Sequence, residues 1–251
     1  MMKNTNVRYL YDGSLSGFYS CVFESVYSRK IPAEICAVSE YEPTLLEEIE
    51  VETNEEHALR VRNSIPEKCT KRAQELVENV FLSCLAEKER HLLTFLLRAY
   101  KEGPQLMRRL GEPCVDVLVK AEKHLLGEAH LLLGFVRFSQ KNDVLVSEIT
   151  PKNFILPYIA SHFTKRYAKE RFLIFDKTNK AALVYENRKA QIIFIDSIEE
   201  EEAGEDERRY RALWRCFYDT IAIEGRENPK CRMTHMPKRY WENMTEMVEF
   251  L

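Results

Sequence analysis

Residues 134–149, GFVRFSQKNDVLVSEI, decide the fold class, because the spacing of apolar residues changes here from a helical period to a strand period. Gly134–Phe138 and Val144–Ile149 flank the polar segment Gln140–Asp143, which predicts a hairpin. Three more short β-rich runs follow, separated by polar turns: Phe172–Phe175, Ala182–Tyr185 and Gln191–Ile195. We therefore predict a mixed or antiparallel central sheet.

Helical patterns lie on both sides of these strands. Apolar faces at helical spacing recur over Leu76–Leu85, Leu92–Tyr100, Val115–Ala129, Leu213–Ile221 and Tyr240–Leu251. The chain opens with a strand at Val7–Tyr11, a turn at Asp12–Ser14, a helix from Leu15 and a second strand at Ile35–Val38. Helices, then a meander of strands, then helices again are typical of the α+β class.

The order of these elements also predicts the domain organisation. We expect a mostly helical subdomain over residues 1–130, with an N-terminal strand, and a sheet-containing subdomain over residues 131–251, with C-terminal helices. One continuous domain is the alternative.

The composition excludes several classes of protein. Of the 251 residues, 45% are hydrophobic and 31% are charged, which is typical of a packed globular chain. No apolar stretch reaches the ~20 residues of a membrane helix, and the N-terminus lacks the apolar core of a secretory signal. We expect a cytoplasmic protein whose seven cysteines are reduced thiols.

Motifs for metals and nucleotides are missing from the sequence. No C-x-x-C pair occurs, and Cys231 with His235 would supply only half of a zinc site. G-x-x-x-x-G-K-[ST], G-x-G-x-x-G and G-x-S-x-G are also absent. We predict neither a bound metal nor a cofactor.

The charge is unevenly placed along a chain of formal net charge −3. Glu40–Glu56 contains eight acids and no Lys or Arg, and seven of the nine residues in Glu199–Glu207 are acidic. We interpret both runs as solvated surface connections. Pro151–Gln191 reverses the balance, with nine Lys or Arg against three acids.

Two clusters of basic residues are candidate phosphate contacts. One lies in the basic segment Pro151–Gln191 and the other lies after it. In the helix after the hairpin, His162, Lys165, Arg166 and Lys169 share the face opposite to the apolar one. Such a face could follow a phosphate backbone, or it could simply be solvated. The second cluster interleaves basic, amide and aromatic groups near the C-terminus: Arg226, Asn228, Lys230, Arg232, His235, Lys238, Arg239, Tyr240 and Trp241. Trp241 could stack on a base or pack in the core.

Acid–base candidates are few. His162 and His235 are the candidate general bases, and Asp12, at a strand-to-helix turn, is a candidate acid or base whose alternative role is a helix cap.

Several motifs together resemble an uncharacterised bacterial family labelled as DNA metabolism proteins. They are Tyr11-Asp12-Gly13-Ser14 with Gly17-Phe18, Gly134–Phe138 with Arg137, Pro151, Leu156, His162-Phe163, Arg166, Arg226-x-Asn228-Pro229, and Met236–Trp241 with Glu246. The resemblance spans nearly the whole chain. It implies a partner, because such proteins are typically encoded beside a radical SAM protein of DNA repair or modification. Some members of the family are fused to a uracil-DNA glycosylase-like domain.

Three functional hypotheses follow. The first is a DNA-associated accessory protein that holds nucleic acid or a damaged nucleotide for a partner enzyme, with Arg137, His162, Arg166, Arg226 and Arg239 nearest the ligand and Lys165, Asn228, Lys238 and Trp241 beside them. The second is an enzyme acting on a nucleotide or a nucleic-acid end, with His162 or His235 as general base. The third is a scaffold that contacts only the radical SAM partner.

Overall fold

The computed structural model describes residues 2–141, 143–198, 205–221 and 228–247. The chain forms two compact units, residues 1–125 and residues 126–251. Helices and a mixed sheet are both present, which confirms the α+β class.

The first unit contains a three-stranded parallel sheet. Its strands are β2 (Val7–Tyr11), β4 (Glu34–Ala37) and β5 (Glu47–Glu50), in the order β4-β2-β5. A separate parallel pair joins β1 (Lys3–Asn4) to β3 (Lys30–Ile31). β2 lies in the middle and is buried on both faces, with Tyr9 and Tyr11 on one side and Arg8 on the other.

Helices pack against this sheet and against each other. They are α1 (Leu15–Ser28), α2 (Glu55–Lys68), α3 (Lys71–Phe81), α4 (Lys88–Glu102), α5 (Gln105–Arg108) and α6 (Pro113–Phe135), with a 3-10 helix at Val38–Glu40. Phe18, Ile65, Leu76, Phe95 and Leu118 are fully buried where these helices meet. The apolar faces predicted for α3, α4 and α6 therefore form the core of this unit.

The second unit is built on a five-stranded mixed sheet. Its strands are β6 (Ser139–Lys141), β7 (Val144–Ile149), β8 (Phe172–Asp176), β9 (Ala181–Glu186) and β10 (Lys189–Phe194), and they lie side by side in their chain order. Neighbouring strands are antiparallel except for β7 and β8, which are parallel. The crossover between these two is α7 (Leu156–Arg166), which packs against β9 and β10.

The C-terminal part of this unit returns to helix. α8 (Glu205–Ile221), α9 (Pro229–His235) and a 3-10 helix at Lys238–Asn243 follow the sheet. Ile149, Ile159, Phe172 and Leu183 are buried in the core of the unit. Within the part of the chain that the structure describes, no helix has the length and apolarity that a membrane span needs.

The prediction of a strand at Gly134–Phe138 is wrong. α6 continues through Phe135, and the Val136 amide still donates to the Leu132 carbonyl at 3.2 Å. Leu132 is buried, and the Phe135 ring packs 5.6 Å from the Tyr240 ring, so tertiary contacts extend the helix over a segment whose alternation fits a strand equally well. The hairpin itself is present, with β6 and β7 as its strands.

The interpretation of Glu40–Glu56 as a solvated connection is also wrong in part. β5 lies inside this acidic run and pairs with β2, where the Glu47 amide donates to Asn6 and the Val51 amide donates to Leu10. α2 also begins in this run, and Asn54 caps it by accepting from the His57 amide at 3.0 Å. The backbone of β5 is therefore fixed by its neighbour although its glutamates stay exposed or half-buried.

The predicted terminal helix is not an α-helix over its described residues. Lys238–Asn243 forms a 3-10 helix and a turn follows, while residues 248–251 lie outside the described part of the chain. Tyr240, Met244 and Met247 are nevertheless buried, so their spacing reflects burial and not helical winding.

Candidate nucleic-acid interface

Helix α7 presents the predicted cationic face. Leu156, Ile159 and Phe163 are buried, as the apolar period predicts, and Lys165 and Arg166 in the last turn are exposed. Lys169, just after the helix, is exposed as well. Cations in the last turn also interact favourably with the helix dipole, which stabilises α7 itself.

These cations have no acidic partner in the part of the chain that the structure describes. Among the described residues, Lys165, Arg166 and Lys169 form no ion pair, and the Arg166 guanidinium lies 5.8 Å from the centroid of the Tyr167 ring. Their N–H groups can therefore contact an anion without breaking an internal ion pair.

His162 lies beside this face but points away from solvent. Its Nε2 atom is buried and forms no hydrogen bond within the described residues, and its ring meets the edge of the Phe163 ring at 5.0 Å. A general base must come within hydrogen-bond distance of the proton that it takes. His162 could do so only after its ring moves, and its role as a base stays a prediction.

Arg137 is held by a buried carboxylate. Its Nη2 atom donates to Glu246 Oε1 at 2.6 Å, and its guanidinium lies 5.6 Å from the centroid of the Trp214 ring. The Trp214 indole N–H donates to the other oxygen of Glu246 at 3.0 Å. Burial alone would raise the pKa of Glu246, but the bonds from Arg137 and Trp214 outweigh it and lower this pKa.

Arg239 is held in the same way by Glu128. Its Nη2 atom donates to Glu128 Oε1 at 3.0 Å, and the Tyr240 hydroxyl donates to the same oxygen at 2.7 Å. The backbone amides of Lys152 and Asn153 donate to Glu128 as well. Burial would raise the pKa of Glu128, but the hydrogen bonds, led by that of Tyr240, lower it.

The remaining C-terminal candidates are spread over α9 and the 3-10 helix. The Asn228 side chain caps α9 by accepting from the Cys231 amide at 2.9 Å, and Lys238 Nζ lies 5.5 Å from the centroid of the Trp241 ring. Trp241 is 5% exposed and its indole N–H donates to the Met236 carbonyl, so its ring packs in the core. Arg226 lies outside the described residues.

His235 and Asp12 complete the predicted acid–base groups. His235 is exposed, and its Nδ1 atom lies 3.0 Å from the Cys231 carbonyl oxygen. Asp12, in the first unit, accepts from the Ser14 amide and the Thr53 hydroxyl, while Ser14 is the residue that caps α1. Burial would raise the pKa of Asp12, but these bonds lower it, so the carboxyl serves the turn as an anion.

The sequence analysis did not identify Asp176 as a buried titratable group. This carboxyl, at the end of β8, is fully buried and accepts from the amides of Thr178 and Asn179 at 3.0 Å each. Burial raises its pKa to about 6, against the opposing effect of these bonds. The available signal was an Asp followed two and three residues later by turn residues, which is typical of a strand-ending turn.

The described side chains were also compared with the requirements of a metal site. Within the described ranges, no group of three His, Cys, Asp or Glu side chains could hold a metal ion. None of the seven cysteines, which all lie in the described ranges, forms a disulfide, and Cys21 and Cys69 are buried.

The chain matches a known protein family. The profile described as a domain of unknown function, DUF4130, matches residues 86–246, which is more than half of the chain. The protein belongs to the DUF4130 family. No curated protein matches the chain.

The DUF4130 match covers most of the candidate interface. It includes α7, the two buried carboxylates Glu128 and Glu246, and their arginine partners. Asp12 and the β2–α1 turn precede the matched region. The match confirms that the chain resembles an uncharacterised family.

Proposed function

We propose that this DUF4130 protein binds single-stranded or nicked DNA through the exposed cations of α7, with Lys165 and Arg166 as the principal contacts and Lys169 beside them. The proposal rests on one observation: the α7 cations form no ion pair with a carboxylate within the described residues, but two other arginines predicted to contact phosphate do. Lys165 and Arg166 are exposed and form no ion pair within the described residues, whereas Arg137 and Arg239 are bonded to buried carboxylates.

The free-energy cost of contacting a phosphate differs between the α7 cations and the two ion-paired arginines. All three guanidinium nitrogens of Arg137 donate to Glu246 or to backbone carbonyls, so a full phosphate contact would draw it from Glu246. An uncompensated buried charge costs about 3–5 kcal/mol, and a contact that drew Arg239 Nη2 from Glu128 would carry the same cost. A phosphate contact is worth less than this amount, since a hydrogen bond to a charged group contributes about 1.5–3 kcal/mol. The α7 cations carry no such penalty, and we assign Arg137 and Arg239 to the support of the unit.

The identity of the ligand and of the partner belongs to the same proposal. The resemblance to a family labelled for DNA metabolism supports DNA as the anion, and it supports a radical SAM protein of DNA repair or modification as the partner. Under the scaffold alternative, the chain would bind that partner and show no affinity for DNA.

The test is DNA affinity measured by fluorescence anisotropy with a labelled single strand and a labelled nicked duplex. The variant Lys165→Gln/Arg166→Gln should bind about 10- to 100-fold more weakly than the wild type, because two charged contacts are lost.

The matched control is Arg171→Gln/Lys177→Gln. It removes one Arg and one Lys from the same unit, and both side chains are exposed. Arg171 pairs with Asp143 and Glu186, and Lys177 pairs with Glu148. This variant should bind DNA as the wild type does. An equal loss in both variants, or no binding by the wild type, would overturn the proposal.

A further inference from the structure

The first unit contains a pocket that neither the sequence motifs nor the DNA proposal uses. It has a volume of about 350 Å³ and lies between α1 and α2, with Tyr100 of α4 in its wall. Phe23, Val26 and Tyr27 line it from successive turns of α1. Its volume falls within the range of about 300–1,000 Å³ that is typical of small-molecule sites.

Phe23 and Tyr27, which line one wall of this α1–α2 pocket, belong to a row of parallel rings. The Phe23 ring stacks on the His57 ring at 3.9 Å with an interplanar angle of 11°, and on the Tyr27 ring at 6.0 Å and 10°. The Tyr27 side of the row is open, because Tyr27 is 79% exposed and its neighbour Val26 is 43% exposed. An exposed ring at the end of a stack offers its face to another planar group.

Two cations line the same pocket from α2. The Arg60 guanidinium lies 5.8 Å from the centroid of the Phe23 ring, and Lys68 Nζ lies 5.1 Å from that of the Tyr100 ring. Neither cation forms an ion pair within the described residues, although the acidic run Glu40–Glu56 ends four residues before Arg60. Aromatic faces restrain both cations while some of their N–H groups stay available to an anion.

Hydroxyl groups add a polar element to the lining. The Ser64 and Tyr100 hydroxyls lie 2.9 Å apart and both residues line the pocket. Arg60, Ser64 and Lys68 recur at intervals of four residues, so they share one face of α2 and extend over about 12 Å of its axis. A mostly apolar pocket with a few convergent polar groups is the usual form of a ligand site.

From these features we infer that the α1–α2 pocket binds a small ligand that combines a planar aromatic ring with an anionic group. The ring would stack against the Tyr27–Phe23 row, and the anion would pair with Arg60 or Lys68. Nucleoside monophosphates and aromatic carboxylates share this chemistry. The site shares no residue with α7, and the inference does not rest on DNA binding.

The probe for the test is 1-anilinonaphthalene-8-sulfonate, an aromatic anion whose fluorescence rises on binding, and its neutral analogue is N-phenyl-1-naphthylamine. The wild type should show one saturable site for the anion. Arg60→Gln/Lys68→Gln should weaken the anion at least fivefold and leave the neutral analogue unchanged. Tyr27→Ala should weaken both probes, because it removes the stacking surface.

Arg62→Gln is the matched control for this experiment. Arg62 lies on the same helix and is exposed, but it pairs with Glu78 and does not line the pocket, so its loss should change neither probe. Anion affinity that is equal in the wild type, Arg60→Gln/Lys68→Gln and Tyr27→Ala would overturn the inference.

Competition with the bound probe then distinguishes the two candidate ligand classes, nucleotides and aromatic carboxylates. Displacement of the bound probe by dAMP or dTMP supports a nucleotide, and displacement by 4-hydroxyphenylacetate supports an aromatic carboxylate. Displacement by none of the three would overturn the ligand class. Because the α7 cations are unchanged in all these variants, DNA affinity measured in parallel separates this outcome from failure of the proposed function.

Discussion

Glu128 shows how a single buried carboxylate can fix several segments of the second unit. Only 2% of it is exposed, and it accepts hydrogen bonds from Lys152, Asn153, Arg239 and Tyr240. These donors come from the loop before α7 and from the 3-10 helix, while Glu128 itself lies on α6. Its charge is satisfied inside the protein, so we regard it as a structural group and not a catalytic acid.

Glu128→Gln should lower the free energy of unfolding by about 2–4 kcal/mol at pH 7, because Arg239 would lose its buried counter-ion. The pKa of Glu128 is lower in the folded protein than in the unfolded chain, so its ionisation favours folding. This contribution is complete above the unfolded pKa of about 4.3 and disappears as the pH falls through the folded pKa. Urea unfolding followed by tryptophan fluorescence at pH 7 and pH 3.5 measures it.

The stability difference between wild type and Glu128→Gln should therefore shrink at the lower pH. Glu186→Gln is the control, since Glu186 is 52% exposed and its pair with Arg171 should contribute less than about 1 kcal/mol. A difference for Glu128→Gln that stays constant between the two pH values would contradict the assignment.

At the scale of single residues, the sequence shows which charges exist but not which are neutralised. Arg137 and Glu246 are 109 positions apart, and Arg239 and Glu128 are 111 apart, so no local pattern indicates either pair. Lys165 and Arg166 were predictable as exposed, because a helical period places them opposite Leu156, Ile159 and Phe163. Local periodicity determines a face, whereas ion pairing depends on the tertiary fold.

At the scale of elements, the local spacing of apolar residues predicted most helices and strands correctly, and two of its errors share a cause. Gly134–Phe138 alternates like a strand, but contacts of Leu132 and Phe135 continue α6 through it. β5 has three glutamates in four residues, and only its pairing with the central strand β2 makes it a strand. In both cases the neighbouring element decides the conformation.

The start of α1 depends on close approach of its first turn to the preceding loop. A Cβ atom on Gly17 would lie 2.2 Å from Asp12 Oδ1 and 2.9 Å from Thr53 Oγ1. Asp12 cannot move aside freely, because it accepts from the Ser14 amide and the Thr53 hydroxyl. Gly17→Ala should therefore reduce the free energy of unfolding by about 1–3 kcal/mol, as measured by urea titration.

Gly127→Ala is the matched control for this prediction. Gly127 also lies inside a helix, α6, and a Cβ atom there would meet nothing within 4 Å. This substitution should raise the free energy of unfolding by about 0.5–1 kcal/mol, through helix propensity alone. A Gly17→Ala variant as stable as Gly127→Ala would show that the turn tolerates the added methyl group.

At the scale of the whole molecule, the net charge limits what α7 can do. The chain carries a formal net charge of −3, and the acidic run Glu40–Glu56 contains no Lys or Arg. A protein of this charge gains no long-range attraction to DNA, so binding must come from short-range contacts by a few cations. Lys165, Arg166 and Lys169 supply about three such contacts.

The number of contacts can be read from the salt dependence of affinity. Each neutralised phosphate contributes about −0.7 to the slope of log affinity against log salt for single strands, so three contacts predict a slope of about −2. Anisotropy titrations of the wild type between 50 and 300 mM NaCl measure this slope. Lys165→Gln/Arg166→Gln should reduce its magnitude to less than about 1, because only Lys169 remains. A wild-type slope steeper than about −5 would require phosphate contacts by cations outside α7, and a slope that the double substitution leaves unchanged would place the interface elsewhere.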